Sequence, residues 1–291
     1  MIPVRSAVTA GIAATIAVTL LFRATSLDVE LQSLAYDPAT SGWPHAARFP
    51  WKQLHDFGTI PGLLLALGAI AVIAAGFLRP RFARWRFPAL YIVVLTALGP
   101  GVITNLFGKI LAGRPRPEEV VEFGGTLRFL EPFEPGTPGK GFSFLCGHCS
   151  MGYLFVAFFF LLRGRARWLA LAASSAYGLL LGAARVADGA HFPSDVTLAG
   201  TITFTLAAAL APLARMQVSR EAWERRGKLA VAAGAAAIAL LVFFSFSTPV
   251  NRERVHTWIG APRRAATHET LLPWDRARTL IVDVERGDVR V

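Results

Sequence analysis

Long apolar blocks alternate with short polar segments along this chain. The blocks run for about 17 to 22 residues without a charged side chain, the length at which an α-helix crosses a bilayer. They are the stretch between Arg5 and Arg23 and residues 57–78, 87–108, about 145–162, 168–184, 196–214 and 229–250. The pattern predicts an all-α polytopic membrane helix bundle of about seven spans. No A-x-A cleavage site follows the first block, which favours a retained helix over a cleaved signal peptide.

Smaller features refine this bundle. Gly99-Pro100-Gly101 interrupts the third block and predicts a kink there. In the fifth block Ser174, Gly178 and Gly182 lie four residues apart, which places three small side chains on one helix face and favours close helix packing. Residues 26–56 are polar and contain three prolines, so they are expected to form an exposed loop.

The basic residues predict the orientation of the bundle. Arginine and lysine cluster at 79–86, 163–167 and 215–228, each time between two apolar blocks. Because short basic loops stay in the cytoplasm, the N-terminus is predicted to be cytoplasmic and the segment after Val250 extracytoplasmic. A multi-pass protein of a bacterial inner membrane is the expected setting.

The chain is expected to divide into a transmembrane domain at 1–250 and an extracytoplasmic tail at 251–291. Near the end of the tail, apolar residues flank Arg286-Gly287-Asp288, a pattern that favours a small β-hairpin. The same tripeptide can serve in cell adhesion, but a turn is the commoner use of these residues.

Composition agrees with a membrane protein, since 54% of the 291 residues are hydrophobic and 17% are charged. The net charge of +11 comes largely from arginines between apolar blocks, so it does not indicate a nucleic-acid partner. The two cysteines, Cys146 and Cys149, are too few for a disulfide framework.

Three polar clusters fall on the same outer face in this topology. They are Lys109 with the loop after it, Gly147-His148, and the segment 185–195, where an arginine, a histidine and a carboxylate share one turn. If Pro193 opens a helix, Asp195 lies in its first turn and points toward His191. Imidazole, carboxylate and cations gathered on one face are typical of a functional site rather than of solvated helix ends.

The spacing of these residues resembles the type 2 phosphatidic-acid phosphatase superfamily, whose three motifs span the last four of six membrane helices. The first motif, Lys-x6-Arg-Pro, matches residues 109–117. The second, Pro-Ser-Gly-His, is matched in part by Leu-Cys-Gly-His at 145–148, and the third, Ser-Arg-x5-His-x3-Asp, matches 184–195 except for the serine. The resemblance covers about 57–215 and implies a six-helix phosphatase core, to which this chain adds a C-terminal span and the tail.

The resemblance also implies a role for each matched residue. His191 would attack phosphorus to give a phosphohistidine, Asp195 would hold its ring, and His148 would protonate the leaving oxygen and then activate water. The groups expected to bind phosphate are Lys109, Arg116, Arg185, the backbone of Gly147 and Cys146. Neither a metal nor another cofactor is required.

Several alternatives stay open from the sequence. Cys146-Gly-His-Cys149 also resembles a thiol-disulfide oxidoreductase motif, although no second cysteine pair exists to pass electrons on. The same His191 chemistry would serve a lipid phosphotransferase, and a transporter or scaffold would keep the spans without the chemistry. Four charged residues of the loop after Lys109 could contact a headgroup, namely Arg114, Glu118, Glu119 and Arg128.

An outward-facing site favours lipid phosphates as substrates and excludes cytoplasmic nucleotides. Undecaprenyl diphosphate, phosphatidylglycerol phosphate, phosphatidic acid and the phosphates of lipid A all fit this description. The oligomeric state is not predicted.

Overall fold

The computed structural model describes residues 3–138, 141–216, 284–285 and 288–289, without the side chains of residues 109 and 110. The chain divides into two compact units, Met1–Ser245 and Phe246–Val291. In the second unit β1 (Val284–Glu285) pairs antiparallel with β2 (Asp288–Val289), at the place where the sequence predicts a hairpin. The predicted seventh span at 229–250 lies outside the described residues.

Helices joined by irregular segments make up the described part of the first unit. Its α-helices are α1 (Val4–Arg23), α2 (Leu27–Ser33), α3 (Trp51–Phe57), α4 (Ile60–Leu78), α5 (Arg86–Thr96), α6 (Gly147–Tyr153), α7 (Ala157–Leu161), α8 (Gly164–Ala187) and α9 (Pro193–Leu210). A π-helix (Ala97–Leu111) continues α5, and short 3-10 turns occupy Pro80–Trp85, Pro117–Glu119, Val121–Phe123, Leu154–Val156 and Leu213–Arg215.

Within the described residues, five helical stretches are long and apolar enough to cross a membrane: Val4–Arg23, Trp51–Leu78, Pro80–Gly108, Gly164–Ala187 and Pro193–Arg215. A shorter apolar stretch, Gly147–Leu161, stands where the sequence predicts the fourth span. These six stretches correspond to the first six predicted spans, which confirms the all-α membrane bundle.

The helix of the third span continues through 99–101, where a kink is predicted, and its hydrogen bonding changes there from α to π. Proline has no backbone N–H to donate within the helix, and its own carbonyl accepts a hydrogen bond from the side-chain amide of Asn105 at 2.9 Å. Near the end of the π-helix Gly108 lies against the backbone of Phe144 and Leu145, where a Cβ atom would come within 2.6 Å of the Leu145 nitrogen. The π-helix thereby brings the first motif beside the second.

The prediction of an exposed loop at 26–56 is wrong. This segment contains α2 and α3, which pack on α9 and α8. Asp28 and Gln32 of α2 are buried, with 1% and 0% of their surface exposed. The acids and prolines suggested a solvated loop, but Asp28 faces a buried arginine rather than water.

The small-residue face of α8 packs as predicted. A Cβ atom on Gly178 would lie 2.3 Å from the ring of Tyr153 on α6, and one on Gly182 would lie 2.2 Å from Val196 on α9. Ser174 donates to the carbonyl of Tyr153 at 2.9 Å. These contacts let α6 and α9 approach α8 closely, so the second and third motifs meet at one end of the bundle.

Candidate active site

The turn between α8 and α9 carries the third motif. Gly189 has a φ of +69°, and a Cβ atom there would lie 2.3 Å from the indole of Trp43, so only glycine fits. The backbone N–H of His191 donates to the carbonyl of Arg185 at 3.3 Å, which holds the two residues together. Pro193 is the first residue of α9, as the sequence predicts.

His191 is buried, with 3% of its surface exposed, and its direct partner is a main-chain carbonyl. Nδ1 contacts the oxygen of Ser143 at 2.5 Å, whereas the carboxylate of Asp195 lies 3.8 Å from the same nitrogen. The sequence predicted that Asp195 itself would hold the ring. Since a carbonyl oxygen can only accept, Nδ1 must carry the proton, and Nε2 of the neutral ring carries the lone pair.

Asp195 lies in the first turn of α9 and is fully buried. Its carboxylate accepts hydrogen bonds from the backbone of Phe192 at 2.9 Å, from Ser143 Oγ at 2.6 Å and from Arg114 at 2.6 Å. Ser143 therefore contacts His191 through its carbonyl and Asp195 through its hydroxyl. This arrangement fixes the carboxylate beside the imidazole without a direct hydrogen bond between them.

Arg114 lies inside the protein, which rules out the headgroup contact suggested by its place in a loop. With 1% of its surface exposed, it donates to Asp195, to Asp28 at 2.8 Å, to Ser194 Oγ at 2.8 Å and to the Leu130 carbonyl at 2.8 Å. Burial alone would lower the pKa of Arg114, but the attraction of the two carboxylates outweighs it and raises the pKa. Arg114 is a buried structural cation.

Asp28 supplies the second carboxylate of this cluster from the far N-terminal part of the chain. It accepts from the backbone N–H of Ser194 at 2.8 Å and from the hydroxyl of the same residue. Burial raises the pKa of Asp28 despite the neighbouring guanidinium of Arg114. The beginning of α9 is thus tied to α2 through a charged pair that no solvent reaches.

A pair of histidines, His148 and His55, lies beside the third motif. Nε2 of His148 contacts the carbonyl of His55 at 3.2 Å, and the two rings meet edge to face with centroids 5.4 Å apart. Nδ1 of His55 lies 3.1 Å from Asp188, which also accepts from Arg185 at 2.6 Å. Because the carbonyl only accepts, His148 donates through Nε2, and its Nδ1 is the nitrogen that can gain or lose a proton.

The cysteine of the second motif cannot donate to a phosphate. Cys146 forms a disulfide with Cys149, and its sulfur accepts the backbone N–H of Cys149 at 3.2 Å as the N-cap of α6. The predicted phosphate contact from its side chain is therefore wrong, because no S–H is present. Both cysteines have 0% exposure, so a substrate disulfide cannot reach them, which argues against the oxidoreductase alternative. Gly147 is the first residue of α6.

The first motif reaches the site through its loop. Arg116 donates to Glu118 at 3.2 Å, and its Nε atom is buried without an acceptor among the described residues. The backbone N–H of Glu118 donates to the carbonyl of Gly189 at 3.1 Å, which joins this loop to the third motif. Lys109 lies near the end of the π-helix, and its side chain falls outside the described part of the structure.

All three motifs are therefore in direct contact. The first meets the third through Glu118 and Gly189, and the second meets it through the Cys146 N–H, 3.4 Å from the carbonyl of Asp195. The convergence places two imidazoles and the arginines 116 and 185 at one end of the bundle. A histidine with a fixed tautomer, a second histidine with a proton to exchange and cations beside them form a set suited to phosphoryl transfer.

Sequence reasoning missed four residues that build this site: Asp28, His55, Ser143 and Asp188. Asp188 lies between Arg185 and His191 in the sequence, and this position could have identified it as a residue of the site. Ser143 contacts His191 through a carbonyl that any residue would supply and donates to Asp195 through its hydroxyl. Asp28 and His55 come from the segment interpreted as a solvated loop. The positions of Asp28 and His55 in the sequence did not indicate that they belong to the site.

Comparison with known proteins identifies the family of this chain. Residues 88–219 match the PAP2 superfamily. A lipid A 4'-phosphatase of Francisella tularensis subsp. novicida is 33% identical over 154 residues, which is 52% of this chain and 69% of that protein. Lipid A 4'-phosphatases of Rhizobium etli and Rhizobium leguminosarum are each 34% identical over 122 residues, covering 41% of this chain and 47% and 52% of theirs. No solved structure matches.

The family match begins in α5 and includes all three motifs, and the first relative is matched over more than two thirds of its length. The chain belongs to the PAP2 superfamily of type 2 phosphatidic-acid phosphatases and is a membrane phosphatase, a phosphoric ester hydrolase that acts on lipid phosphates.

Proposed function

We propose that this protein removes the 4'-phosphate of lipid A at the periplasmic face of the inner membrane, through a phosphohistidine on His191. The substrate class follows the three relatives, each of which is named a lipid A 4'-phosphatase. The contact that carries the mechanism is the one between His191 Nδ1 and the Ser143 carbonyl, because it leaves Nε2 as the nucleophile.

In the first step Nε2 of His191 attacks phosphorus and the bond to the sugar oxygen breaks. His148 gives its Nδ1 proton to that oxygen, so the sugar leaves as an alcohol rather than as an alkoxide. The imidazole becomes cationic as the N–P bond forms. The carboxylate of Asp195, 3.8 Å from Nδ1, stabilises this charge.

In the second step a water molecule attacks the phosphohistidine. His148, now neutral, takes a proton from the water, the N–P bond breaks and inorganic phosphate leaves. His191 returns to the neutral form with its proton still on Nδ1. Each residue ends in its starting state, and one water molecule is consumed for each phosphate released.

Cations and backbone donors would hold the phosphoryl oxygens. Arg116 is suited to this role because its Nε is buried without an acceptor in the described structure, and a phosphate oxygen would supply one. We assign Arg185, Lys109 and the backbone N–H of Gly147 to the same clamp. Arg185 is held by Asp188, which fixes the direction of its guanidinium.

The test is phosphate release by purified protein in detergent, from lipid A and from the other three lipid phosphates, with and without EDTA. We expect release from lipid A, with mass spectrometry showing loss from the 4' position, and the same rate in EDTA. Release from a different lipid alone would overturn the substrate. Transfer of the phosphate to a second lipid, without inorganic phosphate, would instead identify a phosphotransferase.

Two variants test the roles of the histidines, with His45→Ala as a matched control outside the site. His191→Ala should lose both activity and labelling of the protein by a 32P-lipid. His148→Ala should be slow on lipid A but should form the labelled intermediate from an ester whose leaving group needs no proton. Full activity in His191→Ala would exclude the nucleophile assignment.

Orientation can be tested with single engineered cysteines, because both native cysteines are held in the disulfide. Leu127 is exposed at the end that carries the motifs, and Arg81 is exposed at the arginine-rich end. We expect an impermeant thiol reagent to label Leu127→Cys, and not Arg81→Cys, in cells with a permeabilised outer membrane. The reverse result would place the site in the cytoplasm.

A further inference from the structure

A large groove lies at the end of the bundle opposite His191. Its volume is about 1250 Å³, and its lining comes from the middle of α4, the beginning of α5, the end of α7, the first turn of α8 and the segment after α9. Some of these elements also carry residues of the catalytic site. In each such element, those residues lie at the end remote from the groove. The groove is therefore separate from the phosphatase site.

Most of the groove wall is apolar, and three arginines stand at one part of it. Leu64, Ala69, Ile92, Phe160 and Leu161 are typical of the apolar part. The cations are Arg163, Arg167 and Arg215, of which Arg163 and Arg215 are exposed and Arg167 is half-buried. Among the described residues none of the three forms an ion pair with an acidic side chain.

Two further features of the arginine cluster indicate an anion. Nε of Arg167 is buried and has no hydrogen-bond partner in the described part of the chain, while its guanidinium carbon lies 4.3 Å from the ring centroid of Phe159. The 24-residue helix α8 begins here at Gly164 without a side-chain cap and without an acid in its first turn. Unpaired backbone N–H groups and the positive end of a long helix favour a negative ligand.

We propose that this groove binds one anionic glycerophospholipid from the leaflet at the arginine-rich end, with an acyl chain along the apolar wall and the phosphate among Arg163, Arg167 and the beginning of α8. Three uncompensated cations match an anionic headgroup, and the long apolar wall matches a chain that a soluble phosphate lacks. Basic pockets between membrane helices commonly bind lipids in this way. The site is independent of the phosphatase reaction.

The test compares lipid binding by native mass spectrometry and by the shift in melting temperature. Wild-type protein in detergent should retain phosphatidylglycerol and be stabilised by it more than by phosphatidylcholine. Glycerol 3-phosphate, which has the headgroup charge without the chains, should give no shift. Equal shifts with both phospholipids, or a shift with glycerol 3-phosphate, would overturn the proposal of an anionic lipid.

The triple variant Arg163→Gln/Arg167→Gln/Arg215→Gln should bind phosphatidylglycerol at least about tenfold more weakly, since it loses charged hydrogen-bond donors. The matched control, Arg79→Gln/Arg81→Gln/Arg84→Gln, removes the same charge from three neighbouring positions that do not line the groove. Equal weakening in both triples would show a general surface attraction and not a site.

A second variant tests the apolar wall and needs no change of charge. Gly68 lines the groove, and a Cβ atom there would meet nothing within 4 Å. Gly68→Trp should fill the space and weaken phosphatidylglycerol binding, whereas Gly68→Ala should bind as the wild type does. If Gly68→Trp folds and binds the lipid fully, the groove is not the binding site. None of these measurements depends on phosphatase activity, so they remain decisive if the proposed substrate is wrong.

Discussion

The imidazole of His191 contacts the main chain of Ser143, so the acceptor stays whatever side chain stands at position 143. The ring nitrogen Nδ1 lies 2.5 Å from the Ser143 carbonyl, and the carboxylate of Asp195 stands 3.8 Å away behind it. The main chain therefore sets the tautomer of His191, and Asp195 contributes charge. In a triad where the carboxylate also fixes the tautomer, its loss removes both effects at once.

The first prediction follows from this division. Asp195→Asn should keep the neutral tautomer of His191 and lose only the stabilisation of its cation. A charge at this distance is worth about 4 kcal/mol in a partly polar interior, and Arg114 offsets part of it. We expect kcat to fall on the order of 10² to 10³-fold. Steady-state phosphate release from mixed micelles measures this.

Asp28→Asn is the matched control, because it removes a carboxylate from the same arginine but not from beside the imidazole. Its kcat should fall much less than that of Asp195→Asn. Equal losses in the two variants would mean that Arg114 misplacement, and not the missing charge at His191, causes the defect.

The second prediction concerns the buried arginine. Arg114→Met would leave Asp28 and Asp195 in the interior without a cation, and removing one partner of a buried ion pair costs about 3 to 5 kcal/mol. We expect a loss of that size in the free energy of unfolding, measured by chemical denaturation in detergent. Arg128→Met, at an exposed position, should change it by less than about 0.5 kcal/mol.

Adding Asp28→Asn to Arg114→Met should recover part of the lost stability, because one of the two uncompensated charges is then gone. If the double variant is no more stable than Arg114→Met, the ion pair with Asp28 does not contribute as proposed. Arg114→Met within 1 kcal/mol of wild type would contradict the whole cluster.

The third prediction concerns how the free energy of unfolding depends on pH, and it follows from the burial of Asp28. Burial raises its pKa, so the folded protein holds a proton at a pH where the unfolded chain has released it. The stability contributed by Asp28 is complete below pH about 4 and is lost as the pH rises through the raised pKa. The unfolding free energy of wild type minus that of Asp28→Asn should therefore fall as pH rises from about 4. Glu122→Gln, at an exposed position, is the control and should show no comparable slope.

The contrast between His191 and Asp28 shows what the sequence could and could not predict. His191, Asp195 and Arg185 lie within one turn, so local spacing was enough to place them together. Asp28 meets Ser194 across 166 residues, and its partner Arg114 sits in a polar loop. Nothing local distinguishes such a buried ion pair from two solvated charges. The apolar blocks predicted the spans well, because span length is set by the bilayer and not by distant contacts.

Cys146 illustrates the same limit within one motif. Its substitution for serine was visible in the sequence, but two cysteines three residues apart do not reveal whether they are bonded to each other, and the fold shows that they are. The bond turns the residue from a donor into an acceptor at the N-cap of α6. In the proposed mechanism, phosphate binding by the second motif is therefore assigned to the backbone N–H of Gly147 alone.

The fourth prediction separates the disulfide from the cap. In Cys146→Ser/Cys149→Ser the serine oxygen can accept the N–H that the Cys146 sulfur accepts, so the helix keeps its N-cap while the cross-link is lost. Closing so short a loop contributes at most about 2 kcal/mol, so the variant should fold with a lower melting temperature. Phosphate release should stay within about threefold of wild type, since both cysteines are fully buried.

Cys146→Ala/Cys149→Ala is the matched comparison, because it removes the bond and the cap together. It should lose about 1 kcal/mol more than the double serine variant, the usual contribution of an N-cap side chain. Activity lost in both double variants, with the fold intact by thermal unfolding, would mean that the sulfur–sulfur bond shapes the phosphate site. Activity lost only in the alanine variant would show that the oxygen or sulfur acceptor at the beginning of α6 positions Gly147 and His148 for catalysis.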